Sequence, residues 1–419
     1  MKALVLNRFP LASTPYARWL GDDAKVSLIT SARALSCDPG ERQRQLAGYQ
    51  EAVVLDDYND SPLIEHEALR LQARHHFDHI IAMSEYDLLR AARLRVIGKM
   101  PGQDVESAMA YRDKARMKEV LRAHGIPVAD FTRVENAADL LQFADRIGFP
   151  LVVKPRLGAA SVGFNRVDSE AGLVSYLASE PAFRGDADAG LIAERYIDNQ
   201  LYHVDGLVAD GEVVLCWPAA MSSTLGLYEE TPIVSSLLAA DDPLRRPLQD
   251  LTRAVLDALP SPPCLIFHAE FFRTPAGELL LNEIASRVGG GRIRAVIQLA
   301  FGVDLNEYYL RSLVKGSHQA RPPAVPSLMA GHILFPLRPG CLIAAPSACP
   351  VEGVRLSYTH QVGDTLTGSS SSVDALLKVT VTGAARADVL ARIGQVRRWY
   401  AESVVIDPAA GAEPGGSGA

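Results

Sequence analysis

The sequence predicts an α/β protein built of several packed units. Three observations carry this. The chain has 419 residues, more than one ordinary domain holds. Strand and helix signals alternate through residues 1–107, the pattern of a parallel sheet. Two antiparallel hairpins follow in the middle of the chain, so a different kind of sheet adjoins the first.

Taken in order, Ala3 to Leu6, Val26 to Thr30, Ala52 to Leu55 and His79 to Met83 read as short buried strands. Helical patterns such as Pro62 to Ala73 lie between them. From Ala108 the texture changes. Tyr111 to His124 reads as one amphipathic helix with Met117, Val120, Leu121 and His124 on a face, stopped by Gly125 and Pro127. A second helix covers Ala137 to Ile147, with Asn136 as N-cap, an apolar stripe of Leu140, Leu141, Ala144 and Ile147, and Gly148 at its end. The strand Leu151 to Lys154 leads into a small-residue loop, Gly158 to Gly163. One hairpin joins Leu201 to Ala209 with Glu212 to Trp217 through Asp210-Gly211. Another joins Leu265 to Arg273 with Glu278 to Ser286. A helix is expected from Arg292 to Ala300, and one from Asp304 to Lys315 with Gly316 behind it. Met221 to Ser236 shows no regular periodicity. Ala320 to Pro326 reads as a linker, Met329 to Ile406 returns to strands and helices, and Pro408 to Ala419 is Gly-rich and expected to be disordered.

Composition excludes several classes. A formal net charge of −7 and the lack of any basic run argue against nucleic-acid binding. No apolar run approaches the roughly 20 residues of a membrane span, and Met1 to Leu6 lacks the features of a signal peptide. The five cysteines show no CxxC spacing, so neither a disulfide framework nor a zinc site is indicated. A cytoplasmic location is the default.

The second hairpin carries the strongest chemical signal. Folding it about its turn sets Glu270 opposite Glu283, or within one residue of it, and directly opposed residues have Cβ atoms about 5 Å apart, here in an apolar setting. Like charges so placed need a partner. Magnesium supplies one, because hard cations take carboxylate oxygens; solvent exposure, or neutralisation by Arg273 or Arg287, are the alternatives. Arg287 is followed by Gly289, Gly290 and Gly291, whose bare amides at a helix start form an anion site, with Arg292 and Arg294 adding charge. A flexible hinge with solvated arginines is the plainer reading. Lys154 ends a buried strand before the loop and is placed to reach phosphate oxygens, or is an ordinary strand-end lysine. Lys114 and Lys118 share a helix face, which on its own reads as a solvated one. P-loop, GxGxxG, HExxH and GxSxG motifs are all missing.

These residues, in this order, resemble an ATP-grasp domain. Arg112-Asp113-Lys114, Lys118, Gly125-Ile126-Pro127 and Phe149 to Pro155 resemble its first half. Leu191 to Ile197, Val208 to Val213, His268 to Phe271 and Asn282 to Gly291 resemble the rest. The resemblance implies a pre-ATP-grasp α/β domain over 1–107, a two-subdomain ATP-grasp core over 108–316, a C-terminal domain over 317–407 and a disordered tail over 408–419. It is nearest to carboxylate–amine ligases of the L-amino acid ligase type and more distant from biotin carboxylase. It implies ATP as cosubstrate with magnesium or manganese. Lys114 and Lys154 would bind phosphates under the loop that includes Ser161 and Gly163. Glu194 would meet the adenine 6-amino group, with the Tyr196 and Ile197 backbone nearby. Glu270 and Glu283 would hold the metal, and Arg287 the phosphates or the activated carboxylate.

Three positions depart from the family pattern. Leu201, with Tyr202 and His203 beside it, stands where many relatives have a ribose-binding glutamate, which leaves the ribose contacts open. Ala285 replaces an asparagine that can ligate metal. The Leu157 to Gly163 loop is less glycine-rich than in biotin carboxylase. The implied chemistry joins a carboxylate to an amine through an acyl phosphate, with amino-acid substrates, Lys154 and Arg287 as catalytic groups, and His268, Gly289, Gly290, Arg292 and Arg294 toward the substrate. Small molecules are the expected partners, with homodimerisation frequent in the group. A bicarbonate-activating enzyme and a silent nucleotide-binding regulator are the rival readings.

Overall fold

The computed structural model describes residues 1–59, 61–184, 188–222, 231–315 and 319–408. Strands β1 (Lys2–Asn7), β2 (Lys25–Ser31), β3 (Glu51–Leu55) and β4 (His79–Ala82) form a parallel sheet in the order β3-β2-β1-β4. Leu4, Leu6 and Ile80 pack with Ala68 and Leu71 of the helix Leu63–His75. Apolar residues on both sides of these strands explain their unbroken hydrophobic runs.

A second sheet contains β5 (Phe131–Val134), β6 (Leu151–Pro155), β7 (Asn165–Val167) and β8 (Leu191–Arg195), in the order β5-β8-β6-β7. Its helix Ala137–Ile147 starts at Asn136 in a capping box with Asp139. The expected single helix from Tyr111 to His124 is instead two, Val105–Arg112 and Lys114–Ala123. Asp113 is extended and its carboxylate accepts from the Ala115 and Arg116 amides, so it caps a new helix rather than continuing the old one.

The largest sheet has eight strands, β9 (Gln200–Ala209), β10 (Glu212–Ser222), β11 (Ile233–Leu237), β12 (Leu265–Arg273), β13 (Leu279–Ala285), β14 (Met329–Pro336), β16 (Val354–Tyr358) and β18 (Ala375–Gly383). Their order is β13-β12-β9-β10-β11-β14-β18-β16. Strands on either side of residue 316 therefore share one sheet, joined by β11 against β14. A small sheet of β15 (Gly340–Ala344), β17 (Thr365–Leu366) and β19 (Val405–Asp407) sits beside it. The two ends of the Met221 to Ser236 stretch are strand: Met221 and Ser222 complete β10, and β11 begins at Ile233. Its residues 223–230 lie outside the described residues, as do Gly316 and the tail from 409. Among the described residues no helix is long and apolar enough to cross a membrane.

Candidate active site

The β12–β13 hairpin has the register that its turn dictates, with Glu270 paired to Glu283. Alternation puts Phe267, Phe271 and Leu281 into the core on one face. His268, Glu270 and Glu283 line a cavity on the other. A bulge after Glu270 inserts Asn282 as an extra residue of β13. Asn282 also lines the cavity; its Nδ2 donates to Glu270 Oε2 at 3.0 Å, and its Oδ1 is 3.5 Å from Lys154 Nζ.

Lysines face the two glutamates. Lys114 Nζ is 3.0 Å from Glu283 Oε2 and donates to the Gly158 carbonyl at 2.7 Å. Burial works against the Glu283 carboxylate, but Lys114 and Lys154 draw its pKa down to about 2. Lys154, on β6, sits 3.0 Å from Glu194 Oε2. Lys118, fully buried, lies 3.4 Å from Glu194 Oε1. Burial alone would raise Glu194, yet Lys118 and Lys154 hold it below the ordinary carboxylate range. Burial depresses Lys118 despite Glu194. The solvated face suggested by the Lys114–Lys118 spacing is thus a buried one.

Arg287 lines the cavity and is oriented from outside the hairpin. Its Nε donates to Glu85, which also accepts from Arg112 Nη1 at 2.6 Å. Arg112 Nη2 in turn holds the Leu157 carbonyl at 2.7 Å, at the mouth of the 158–163 loop. Burial opposes the Glu85 charge, but the two arginines keep it low. The glycine run is packed. A Cβ on Gly289 would lie 2.6 Å from His268 Nδ1, and one on Gly290 would lie 2.5 Å from Val373 Cγ1. Only glycine allows these approaches, and Gly290 and Gly291 open into the cavity before the helix Ile293–Phe301.

Behind Glu270 lies a buried polar network. Asp205 bridges His268 Nδ1 at 2.8 Å and His203 Nδ1 at 2.6 Å, and His203 Nε2 is 2.6 Å from Ser235 Oγ. Burial would lower the His268 pKa, but Asp205 and Glu270 raise it to about 10. The ring thus serves both as a satisfied sheet histidine and as part of the cavity wall.

Other expected residues are placed differently. Ser161, with φ of 61°, lines the cavity, while Gly163 packs over Pro155 behind it. Tyr202 faces the opposite, apolar side of β9, within the core. Tyr196 carries the Arg166 guanidinium 4.2 Å above its ring, and neither it nor Ile197 lines the cavity. Arg294 is committed to Asp304 at 2.6 Å and lies over Trp19, away from the cavity. Arg292 caps the helix and flanks the cavity without lining it. Sequence reasoning named Lys118 and Asn282 without giving them a part in the site, and missed Glu85, Asp205 and His332. Extending the strand alignment to β9 would have set Asp205 against His268. Glu85 is 202 residues from Arg287 and left no local signal.

A family model described as an ATP-grasp domain matches residues 119–291, the segment that supplies Lys154, Glu194, Glu270, Glu283 and Arg287. Residues 119–291 are thus similar to an ATP-grasp domain. The chain is 30% identical over 261 residues to the L-arginine-specific L-amino acid ligase of Bacillus subtilis, covering 61% of this chain and 62% of that relative. The chain thus spans somewhat less than two thirds of that ligase. The L-amino acid ligase of Bacillus licheniformis has a similar fold, with a TM-score of 0.75 at 17% identity over 97% of this chain and 98% of that one. So does the biotin carboxylase domain of Hydrogenobacter thermophilus 2-oxoglutarate carboxylase, solved with MgADP and bicarbonate. Its TM-score is 0.70 at 18% identity over 97% of this chain and 90% of that one. The Bacillus subtilis relative and others named by sequence similarity, among them D-alanine–D-alanine ligases and an alanine–anticapsin ligase, are ligases.

Proposed function

We propose that the protein is an ATP-dependent carboxylate–amine ligase with amino-acid substrates. One observation carries the reading: Lys114, Lys154, Glu270, Glu283 and Arg287 converge on a single cavity floored by glycine amides. Phosphoryl transfer asks for positioning and charge neutralisation more than covalent chemistry, and this is that kind of site. A substrate carboxylate oxygen attacks the γ-phosphorus of ATP, the bond to the bridging oxygen breaks, and ADP leaves. The amine nitrogen then attacks the acyl carbonyl. The carbon–oxygen bond to phosphate breaks, and the nitrogen gives up a proton.

Lys154 and Lys114 hold phosphate oxygens. Glu194, fixed between Lys154 and Lys118, keeps the Lys154 ammonium in place. Arg287, oriented by Glu85, and the Gly290–Gly291 amides stabilise charge on the transferring group. Glu270 and Glu283 suit a divalent cation: two carboxylates in register, half-buried, with an amide beside them. Magnesium bound there would neutralise phosphate charge. Ser372 donates its amide to the Ala160 carbonyl at 3.1 Å, so the 158–163 loop meets a C-terminal loop over the cavity and helps exclude water.

The test is phosphate release from ATP and magnesium with pairs drawn from a panel of amino acids and simple amines. Release that requires two organic substrates, and that disappears in Glu283→Ala, is expected. ATP binding without release by any pair would favour a silent nucleotide-binding protein, and bicarbonate-dependent release would favour a carboxylase.

A further inference from the structure

The cavity face of the large sheet is graded from charged to apolar. Glu283 and Glu270 stand at one edge and the His203–Asp205–His268 network in the middle. Beyond it come Met221 on β10, Ile233 on β11 and Leu334 on β14, with Ile233 and Leu334 in register. With Ala375 these three form a small apolar cluster of their own, separate from the main cores. All three line the same cavity as Lys154 and Arg287.

Among the described residues that line that end, none invites a cation. Among the described residues, the only carboxylates lining the cavity are Glu270 and Glu283, and both already face a basic group, His268 at 3.4 Å and Lys114 at 3.0 Å. His332, the next cavity residue along β14, is pushed down to about 3 by burial and is neutral. Lys378 on β18, in register with Leu334, is a basic residue at the same end; burial lowers its pKa and Asp374 counters that. A guanidinium or ammonium there would lose water and meet like charge, whereas an aliphatic or aromatic group would gain contact.

Resting on the ligase reading, we propose that the activated substrate is an amino acid with an apolar side chain. Its carboxylate lies between Arg287 and the Gly290–Gly291 amides, and its side chain lies against Met221, Ile233 and Leu334. The site thus differs in substrate class from the arginine for which the Bacillus subtilis relative is named.

Hydroxylamine isolates the activated substrate, because it replaces the amine. The acyl phosphate forms with loss of ADP. The hydroxylamine nitrogen then displaces phosphate and releases one proton, leaving a hydroxamate. With ATP, magnesium and hydroxylamine, alanine, valine, leucine, methionine and phenylalanine should give at least about tenfold more hydroxamate than arginine, lysine, aspartate or glutamate. Met221→Glu, at a half-buried cavity position, should raise arginine relative to leucine by about tenfold. A charged amino acid as best substrate of the wild type, or an unchanged ranking in Met221→Glu, would overturn the proposal while leaving the ligase reading intact. Absence of both hydroxamate and phosphate with every amino acid, in protein that binds MgADP, would overturn the ligase reading and this proposal with it.

Discussion

Strands β9, β12 and β13 have two faces with opposite characters. One carries Tyr202, Val204, Phe267, Phe271 and Leu281 into a closed apolar core. The other carries His203, Asp205, His268, Glu270 and Glu283, paired to one another and to lysines. The same backbones serve both, because successive side chains alternate. The apolar face fixes the register, and the register decides which carboxylates meet. A slip of one residue would put the glutamates in the core and the phenylalanines in the cavity.

The comparison can be broken from its apolar side first. Phe271 is fully buried, and Phe271→Ala should cost about 4 kcal/mol, read by urea denaturation. A loss below about 1 kcal/mol would mean that this face does not hold the register. Next is Glu194→Gln, which leaves the fully buried Lys118 ammonium without its counter-charge. A stability loss of about 3 kcal/mol is expected.

Glu194 also sets a pH dependence. Its pKa is lowered in the folded state from an ordinary value of 4.5, so the folded protein binds fewer protons than the unfolded chain. The stabilisation is complete above that ordinary value and is lost as pH falls through it toward the folded one. Wild-type stability should therefore decline more steeply in acid than that of Glu194→Gln. Equal slopes would show that Glu194 is not held ionised.

On the charged face, Glu283→Gln should keep the fold and lower phosphate release about 100-fold, about 2.7 kcal/mol in the barrier. The smallest effect belongs to a residue on neither face: Asn136→Ala removes a helix cap and should cost about 1 kcal/mol with activity per folded molecule unchanged.

Much of this was legible in the sequence, and the failures have physical causes. The Glu270–Glu283 register followed from the turn, since a hairpin of fixed loop length leaves little freedom. The parallel sheet followed from alternating runs, and the Asn136 helix from its cap. Asn282 was hidden because strict alternation points it away from the cavity, and only the bulge after Glu270 turns it in. Lys118 looked solvated because helical spacing shows which residues share a face, not what covers it; its cover includes Glu194 on β8. Asp113 looked interior to a helix because nothing local separates a capping aspartate from a helical one. Arg294 looked like part of an anion site, but its partner Asp304 lies one turn beyond the helix end. Glu85 reaches Arg287 and Leu334 reaches the cavity from opposite ends of the chain, contacts made by tertiary packing alone.

The central claim is that the charged face binds nucleotide phosphates through a cation held by Glu270 and Glu283. Calorimetric titration of a non-hydrolysable ATP analogue, with and without magnesium, tests it most directly, in the wild type and in the double variant Glu270→Gln/Glu283→Gln. The account predicts that magnesium tightens nucleotide binding to the wild type and that this gain vanishes in the double variant. An equal magnesium effect in both proteins, or no nucleotide binding to the wild type, would contradict it.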